Sequence, residues 1–308
     1  VATAEIGSIS AAASALGLAQ ATLSENVAKL ETRLGTKLAI RGQRGLTLTE
    51  AGKVLVRQGK ELVNSADALA ESIRGHCGEL RGPVAVGLPP SLSLLLSVPL
   101  TETVFSELPD VRLHVAEGVS GHILEWVADG RVDFGFAYEL PDSSMFNSYP
   151  FLTEELFLLS APDNLPLAVE GGEPLTITLK ALDGLPLVMP AHPHGSRRVL
   201  ERIAKANGVN LCFVSEIDAL SQIVEMVSRA SAYAVVPHAA VIGPAAAGHV
   251  ALIKITQPEC ERTAYLVRNK GRPATSATIA VQKILFRIFR ELAGRYKLHV
   301  TLFPYPLN

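Results

Sequence analysis

Five side chains able to bond a base or a phosphate crowd into ten residues near the start of the chain: Gln20, Thr22, Ser24, Asn26 and Lys29. Between and beyond them Leu23, Val27, Leu30 and Leu34 recur at spacings of four, three and four, the signature of a helix with one apolar stripe. Amide side chains of Gln and Asn can pair with adenine edges, and Ser or Thr hydroxyls can reach a base or a phosphate. A helix that enters a major groove presents its N-terminal residues to the bases, so Gln20 and Thr22 are the candidate base readers. Lys29, Arg33, Arg41 and Arg44 are candidates for phosphate or minor-groove contacts, which position a protein without specifying sequence. Ala21 and Thr47 complete this candidate set.

A second group of polar residues follows predicted strands, where α/β folds place their ligands. Leu88-Pro-Pro-Ser91-Leu92-Ser93 leads from a strand into a helix, and free backbone N–H groups beside hydroxyls make an anion site there. Gly118-Val119-Ser120 follows another strand, and a plain turn explains it equally well. Pro190-Ala-His192-Pro-His194-Gly-Ser196-Arg197 follows a third; its histidines and Arg197 suit a carboxylate, or form only an exposed loop. His-x-His spacing alone does not make a metal site, because no third or fourth ligand is near in sequence, and neither metal nor cofactor is expected. Glu216-Ile217-Asp218 precedes a further helix; Ile217 joins the candidate set, and Asp218 is expected as the N-cap.

The elements that position these residues change character along the chain. Ser10 to Leu16 and Ala19 to Leu34 read as helices, with Gly35 closing the second in a position that glycine fills at low cost. Lys37 to Arg41 and Gly45 to Thr49 flank a basic, glycine-containing tip and read as a small hairpin, a wing. Thr49 looks like the N-cap of a long helix reaching about Ile73, whose single apolar stripe needs a partner helix, most simply from a second copy of the chain. Gly75, Gly78, Gly82 and Pro83 read as a hinge. Alternating apolar strands and helices follow, from Val84 to Leu88 through to a closing helix from Thr275 to about Arg295, which implies α/β architecture with mostly parallel strands.

Charge separates the same regions. From Ala19 to Lys60 eight basic residues face three acids, a net of +5; the chain totals −2, so the rest carries −7. That is the pattern of a basic module that meets phosphate on an acidic body. Hydrophobic residues make up 48% and charged residues 19%, enough to build cores and too apolar for intrinsic disorder. Cys77, Cys212 and Cys260 have no metal-ligand or redox spacing, which fits a reducing compartment. The opening VATAEIGSIS has no basic region followed by an apolar core, so no secretory signal is read there, although the absence of a starting Met hints at a trimmed end. No apolar run approaches the length that spans a bilayer.

The stretch from Ala12 to Arg41, with Leu16, Ala19, Gln20, Ala21, Thr22, Leu23, Ser24, Val27, Leu30, Glu31, Leu34, Gly35 and Leu38, resembles the helix-turn-helix of LysR-type transcription regulators. Thr47-Leu-Thr-Glu-Ala-Gly52 resembles that family's passage from wing to linker helix, and Gly130-Arg-Val-Asp-Phe-Gly135 and Leu179 to Val188 resemble its sensor domain. Ala19, Ala21, Glu25 and Ala39 depart from the family's usual residues. The resemblance implies an all-α winged helix-turn-helix with a long linker helix, then an α/β, two-lobed, periplasmic-binding-protein-like sensor. The expected bounds are 1–52 for the first domain, 53–82 for linker and hinge, and 83–303 for the sensor. Lobe I would take about 83–160 and 266–303, and lobe II about 161–265. It also implies a cytoplasmic, non-enzymatic regulator that binds double-stranded DNA and an anionic small molecule. Self-association would run through the linker helix into a homotetramer, with RNA polymerase a further candidate partner and no membrane contact. A solute-binding protein or an α/β enzyme using the same cleft are the alternatives. The nearest approach to a nucleophile elbow is Gly118-Val119-Ser120-Gly121, one residue out of pattern.

Overall fold

A computed structural model describes residues 1–42, 45–56, 58–59, 62–63, 66, 80–192 and 194–305. The chain divides into two compact units, residues 1–71 and, apart from 271–273, the remainder.

The first unit begins with α1 (Ala2–Ile6), α2 (Ile9–Ala15) and α3 (Gln20–Leu34). Ser8 caps α2 by accepting from the Ala11 N–H, and Gly35 ends α3 with φ of 66°. Ala12 and Ala13 are buried, so α2 packs closely through small residues. The apolar stripe of α3 is only partly covered: Leu23 and Val27 are half-buried, while Leu30 and Leu34 are 38% and 50% exposed. The expected wing is present as β1 (Ala39–Gly42) paired antiparallel with β2 (Gly45–Leu48). Glu31, 9% exposed, ties α3 to it. One carboxylate oxygen accepts from the Leu38 and Ala39 N–H groups at 2.9 and 3.4 Å, and the other pairs with Lys37 Nζ at 2.6 Å. The Lys37 bond and these backbone bonds hold its pKa below the usual carboxylate value.

Thr49 caps the linker helix as expected, accepting from the Gly52 N–H at 3.0 Å while its hydroxyl donates to the Lys37 carbonyl at 2.7 Å. A Cβ at position 52 would lie 1.9 Å from the Leu38 carbonyl oxygen, so glycine lets the helix start pack directly on the wing. Residues 50–56, 58–59, 62–63 and 66 are helical. Residues 67–79 of the expected linker, with Cys77 and the hinge glycines 75 and 78, lie outside the described residues. Gly82 and Pro83 do not belong to a hinge; they open the first strand of the second unit.

That unit contains β3 (Gly82–Leu88), α4 (Pro90–Glu107), β4 (Val111–Glu117), α5 (Ser120–Ala128), β5 (Phe134–Ala137) and β6 (Phe146–Ser160). Next come β7 (Leu175–Thr178), β8 (Pro186–Met189), α6 (Gly195–Ala206), β9 (Cys212–Glu216), α7 (Leu220–Ser228) and β10 (Ala234–Pro237). It ends with α8 (Ile242–Ala246), β11 (Ala251–Thr256), β12 (Glu261–Asn269), α9 (Ser276–Arg295) and β13 (Val300–Leu302). Lobe I holds β3 between β4 and β5, all parallel. Alternation along β3 sends Val84, Val86 and Leu88 to a core with α4 and α9, and Ala85 toward α5 on the other face. Phe151 centres the first core, 4.6, 4.7 and 5.0 Å from the rings of Phe136, Phe286 and Phe289. A Cβ at Gly135 would meet Ile123 at 2.4 Å, which is why α5 can lie flat on this sheet. Lobe II builds its cores from the end of β6, β7, β8, β10 and β11 with α6 and α7.

The lobe boundaries differ from the expected 160/161 and 265/266. Leu152 packs in lobe I and Leu156 in lobe II along the single strand β6; Cys260 packs in lobe II and Ala264 in lobe I around the start of β12. The chain therefore changes lobes inside two antiparallel strands that pair Glu154 with Arg262. Those crossings also correct the mostly parallel expectation, since β10, β11, β12 and β13 all run antiparallel to β6. Among the described residues no helix is long and apolar enough to cross a membrane.

Candidate DNA-binding face and effector cleft

On α3 the side chains of Gln20, Ala21, Thr22, Asn26, Lys29 and Arg33 are exposed, and Ser24 is half-buried. Lys29 pairs with Glu25 one turn earlier at 2.7 Å. The helix starts at Gln20 after Ala19, an extended N-cap whose methyl cannot accept a hydrogen bond, so the first-turn N–H groups lack a side-chain cap. Thr47 is exposed on β2. Arg41 lies in β1, but its side chain is not described, and Arg44 falls outside the described residues.

In the second unit a pocket opens between the lobes. Four helices begin at it: Pro89, Pro90 and Ser91 at the start of α4, Val119 and Ser120 at α5, His194 to Ser196 at α6, and Leu220 at α7. No side chain caps any of the four. Met189, Leu220, Ile223, Val235 and Val236 give one wall an apolar character.

At the pocket lies Arg262, 5% exposed and unforeseen in the sequence. Its Nε donates to Glu154 Oε1 at 2.8 Å, and one terminal nitrogen reaches the same oxygen at 2.6 Å. The guanidinium also donates to Ser91 Oγ of lobe I at 3.0 Å and to Ser196 Oγ of lobe II at 2.5 Å. It stacks 3.5 Å above the Tyr138 ring. One cation thus holds hydroxyls from both lobes. Tyr138 hydrogen-bonds Ser91 at 3.1 Å, and burial raises its pKa. Burial, with Arg262 nearby, pushes the His194 pKa down to about 4, so this imidazole is neutral at pH 7. A second ion pair, Arg198 to Glu139 at 2.5 Å, links α6 to the segment after β5.

Of the expected effector residues, Ser91, Val119, Ser120 and His194 line this pocket. Ser120 Oγ accepts from the Tyr138 N–H at 3.1 Å. The others lie elsewhere, each for a physical reason. Leu92 is wholly buried in lobe I. Ser93 turns along α4 to Ser97, 2.9 Å away. Arg197 is buried but committed to Glu201 at 2.9 Å, to Glu216 and to the Pro190 carbonyl at 3.1 Å, with its guanidinium 4.3 Å from the Phe213 ring centre. His192 pairs with Glu201 at 2.9 Å and does not line the pocket. Ile217 packs against the second lobe II core. Asp218 is not the N-cap, a position held by Ala219; it lines the pocket and accepts from the Ala191 N–H at 3.0 Å. No local spacing marks Glu154 and Arg262 as partners, since 108 residues separate them.

Comparison with known proteins gives two family matches in chain order. Residues 1–53 match the bacterial regulatory helix-turn-helix protein, lysR family, and residues 78–287 match the LysR substrate binding domain. The nitrogen assimilation regulatory protein nac of Klebsiella aerogenes is 25% identical over 285 residues, covering 92% of this chain and 91% of its own. A probable hydrogen peroxide-inducible genes activator of Mycobacterium avium is 28% identical over 297 residues, covering 96% and 90%. A solved full-length OxyR variant from Pseudomonas aeruginosa shares the fold with a TM-score of 0.71 at 20% identity, over 94% of this chain and 91% of that one. With DNA-facing and sensor regions both matched over most of its length, the chain belongs to the LysR family of bacterial regulatory proteins.

Proposed function

We propose that this LysR-type regulator reads duplex DNA with α3 and the wing, and that a small molecule with an anionic group, bound between the sensor lobes, switches it. The observation that carries the switch is the convergence on one pocket of four helix N-termini without side-chain caps, each presenting the positive end of a dipole. Gln20 and Thr22 contact bases; Lys29, Arg33, Arg41 and Arg44 contact backbone. The half-exposed Leu30 and Leu34, with Leu62 and Val63 of the linker exposed, support burial against further copies of the chain, a dimer that pairs into a tetramer. The protein works where its DNA lies, in the cytoplasm.

Enrichment from a random duplex pool tests the DNA reading. Gln20→Ala relaxes the selected motif at one position, at a cost of about 1–3 kcal/mol for the preferred base. A wild-type chain that enriches no motif, or a variant that loses affinity equally for every sequence, contradicts the assignment.

Sensing of peroxide, suggested by the names of several relatives, finds no support in the cleft. Among the described residues its lining contains no cysteine, Cys212 lies on β9, and burial pushes the Cys260 thiol up to about 11, away from the reactive thiolate, while Cys77 lies outside the described residues.

A further inference from the structure

The pocket between the lobes is smaller than the molecule proposed for it. Its free volume is about 30 Å³, the share of a single water, whereas sites that enclose a small molecule run to roughly 300–1,000 Å³. The lobes must therefore part before an effector enters. The chain crossings fix where they part. β6 passes from lobe I to lobe II between Leu152 and Leu156, and β12 returns between Cys260 and Ala264. Glu154 and Arg262 face each other in register inside those two short spans, so they sit on the pivot.

From that pivot the Arg262 guanidinium reaches into both lobes. Nη2 donates to Ser91 Oγ at the start of α4, and Nη1 donates to Ser196 Oγ at the start of α6. Ser91, Ser196 and Arg262 are all buried. Glu154 anchors the guanidinium at 2.8 and 2.6 Å. A turn of one lobe about the paired strands carries Ser91 and Ser196 away from each other, while Arg262 stays with its carboxylate. At least one hydroxyl must then be released. A buried hydrogen bond from a charged donor is among the stronger kinds. A second tie across the gap, Arg198 with Glu139, has side chains 52% and 37% exposed and adds little.

We propose that Arg262 is the latch of the sensor. It holds the ligand-free lobes closed, and an effector enters only the minor population in which Ser91 or Ser196 has let go. Apparent affinity is then scaled by the fraction of unlatched sensor as well as by the contacts the effector makes. The latch regulates the proposed cleft and rests on that reading.

Hydrogen–deuterium exchange of the ligand-free full chain, followed by mass spectrometry, tests it. Ser91→Ala and Ser196→Ala each remove one arm and leave the Arg262–Glu154 pair in place. Ser93→Ala is the control, since its hydroxyl bonds Ser97 within α4. Each arm variant should speed exchange about tenfold in peptides bordering the cleft from both lobes, 88–93 and 134–138 of lobe I and 189–198 of lobe II. The core helix α9 should keep its wild-type rate, and Ser93→Ala should match the wild type throughout. Faster exchange confined to the lobe that carries the substitution, faster exchange extending through α9, or no change in either arm variant overturns the latch. No ligand enters this experiment, so such a result leaves the cleft standing as the effector site. Arm variants that open as expected yet take up no small molecule would overturn the effector site instead.

Discussion

Ala19 and His194 are single residues whose chemistry can be weighed directly. Ala19 has the extended conformation of an N-cap but no oxygen to offer, so the recognition helix begins without the bond that Ser8 supplies to α2. Ala19→Ser should stabilise the first unit by about 1 kcal/mol, measured as a higher denaturant midpoint of its unfolding transition. An unchanged midpoint would mean that the first-turn N–H groups gain nothing from a side-chain acceptor. His194 has its folded pKa lowered to about 4 from 6.5. Between those values the unfolded chain binds the proton that the folded chain refuses. Its contribution to stability is therefore complete above pH 6.5 and is lost as pH falls toward 4, with a slope of up to about 1.4 kcal/mol per pH unit. His194→Gln should flatten that part of the sensor's pH–stability profile; an identical profile would refute the buried, neutral imidazole.

At the scale of elements, legibility followed local pattern. The α3 helix, its glycine stop, the wing, the Thr49 cap and the closing helix all rest on short-range spacing, and all stand in the structure. The strand β6 has a legible apolar run only from Leu156 to Ser160. Its first two-thirds contains Asn147, Ser148, Pro150, Glu154 and Glu155, which break the apolar run because this stretch crosses between lobes and carries the buried ion pair. Half of the candidate cleft was visible as helix starts with hydroxyls. The rest, Arg262, Glu154 and Tyr138, is assembled by strand pairing across 108 residues, which spacing cannot reveal. That pair yields a sharp expectation. Arg262→Met leaves Glu154 buried without a counter-charge and should cost about 3–5 kcal/mol, whereas Arg262→Met with Glu154→Leu should recover most of the loss. Equal destabilisation by the single and double variants would contradict the charge-based account.

For the whole molecule, the sensor has value only if its lobes communicate with the DNA-reading unit. An effector that binds one arrangement of the sensor more tightly shifts the population toward it. A cleft ligand found by calorimetry should therefore change the spacing or extent of the DNA footprint while sedimentation shows the oligomer intact. A footprint unmoved at saturating ligand would separate binding from regulation. The basic module, +5 between Ala19 and Lys60 in a chain of −2 overall, bears on the central assignment. Affinity of the full chain for duplex DNA, followed by fluorescence anisotropy from about 50 to 200 mM salt, tests it most directly. The logarithm of the binding constant should fall linearly with the logarithm of salt concentration, and Arg33→Ala should reduce the slope by about one phosphate contact. Absence of binding at the lowest salt, or an affinity indifferent to salt, would contradict a DNA-binding role for the first unit.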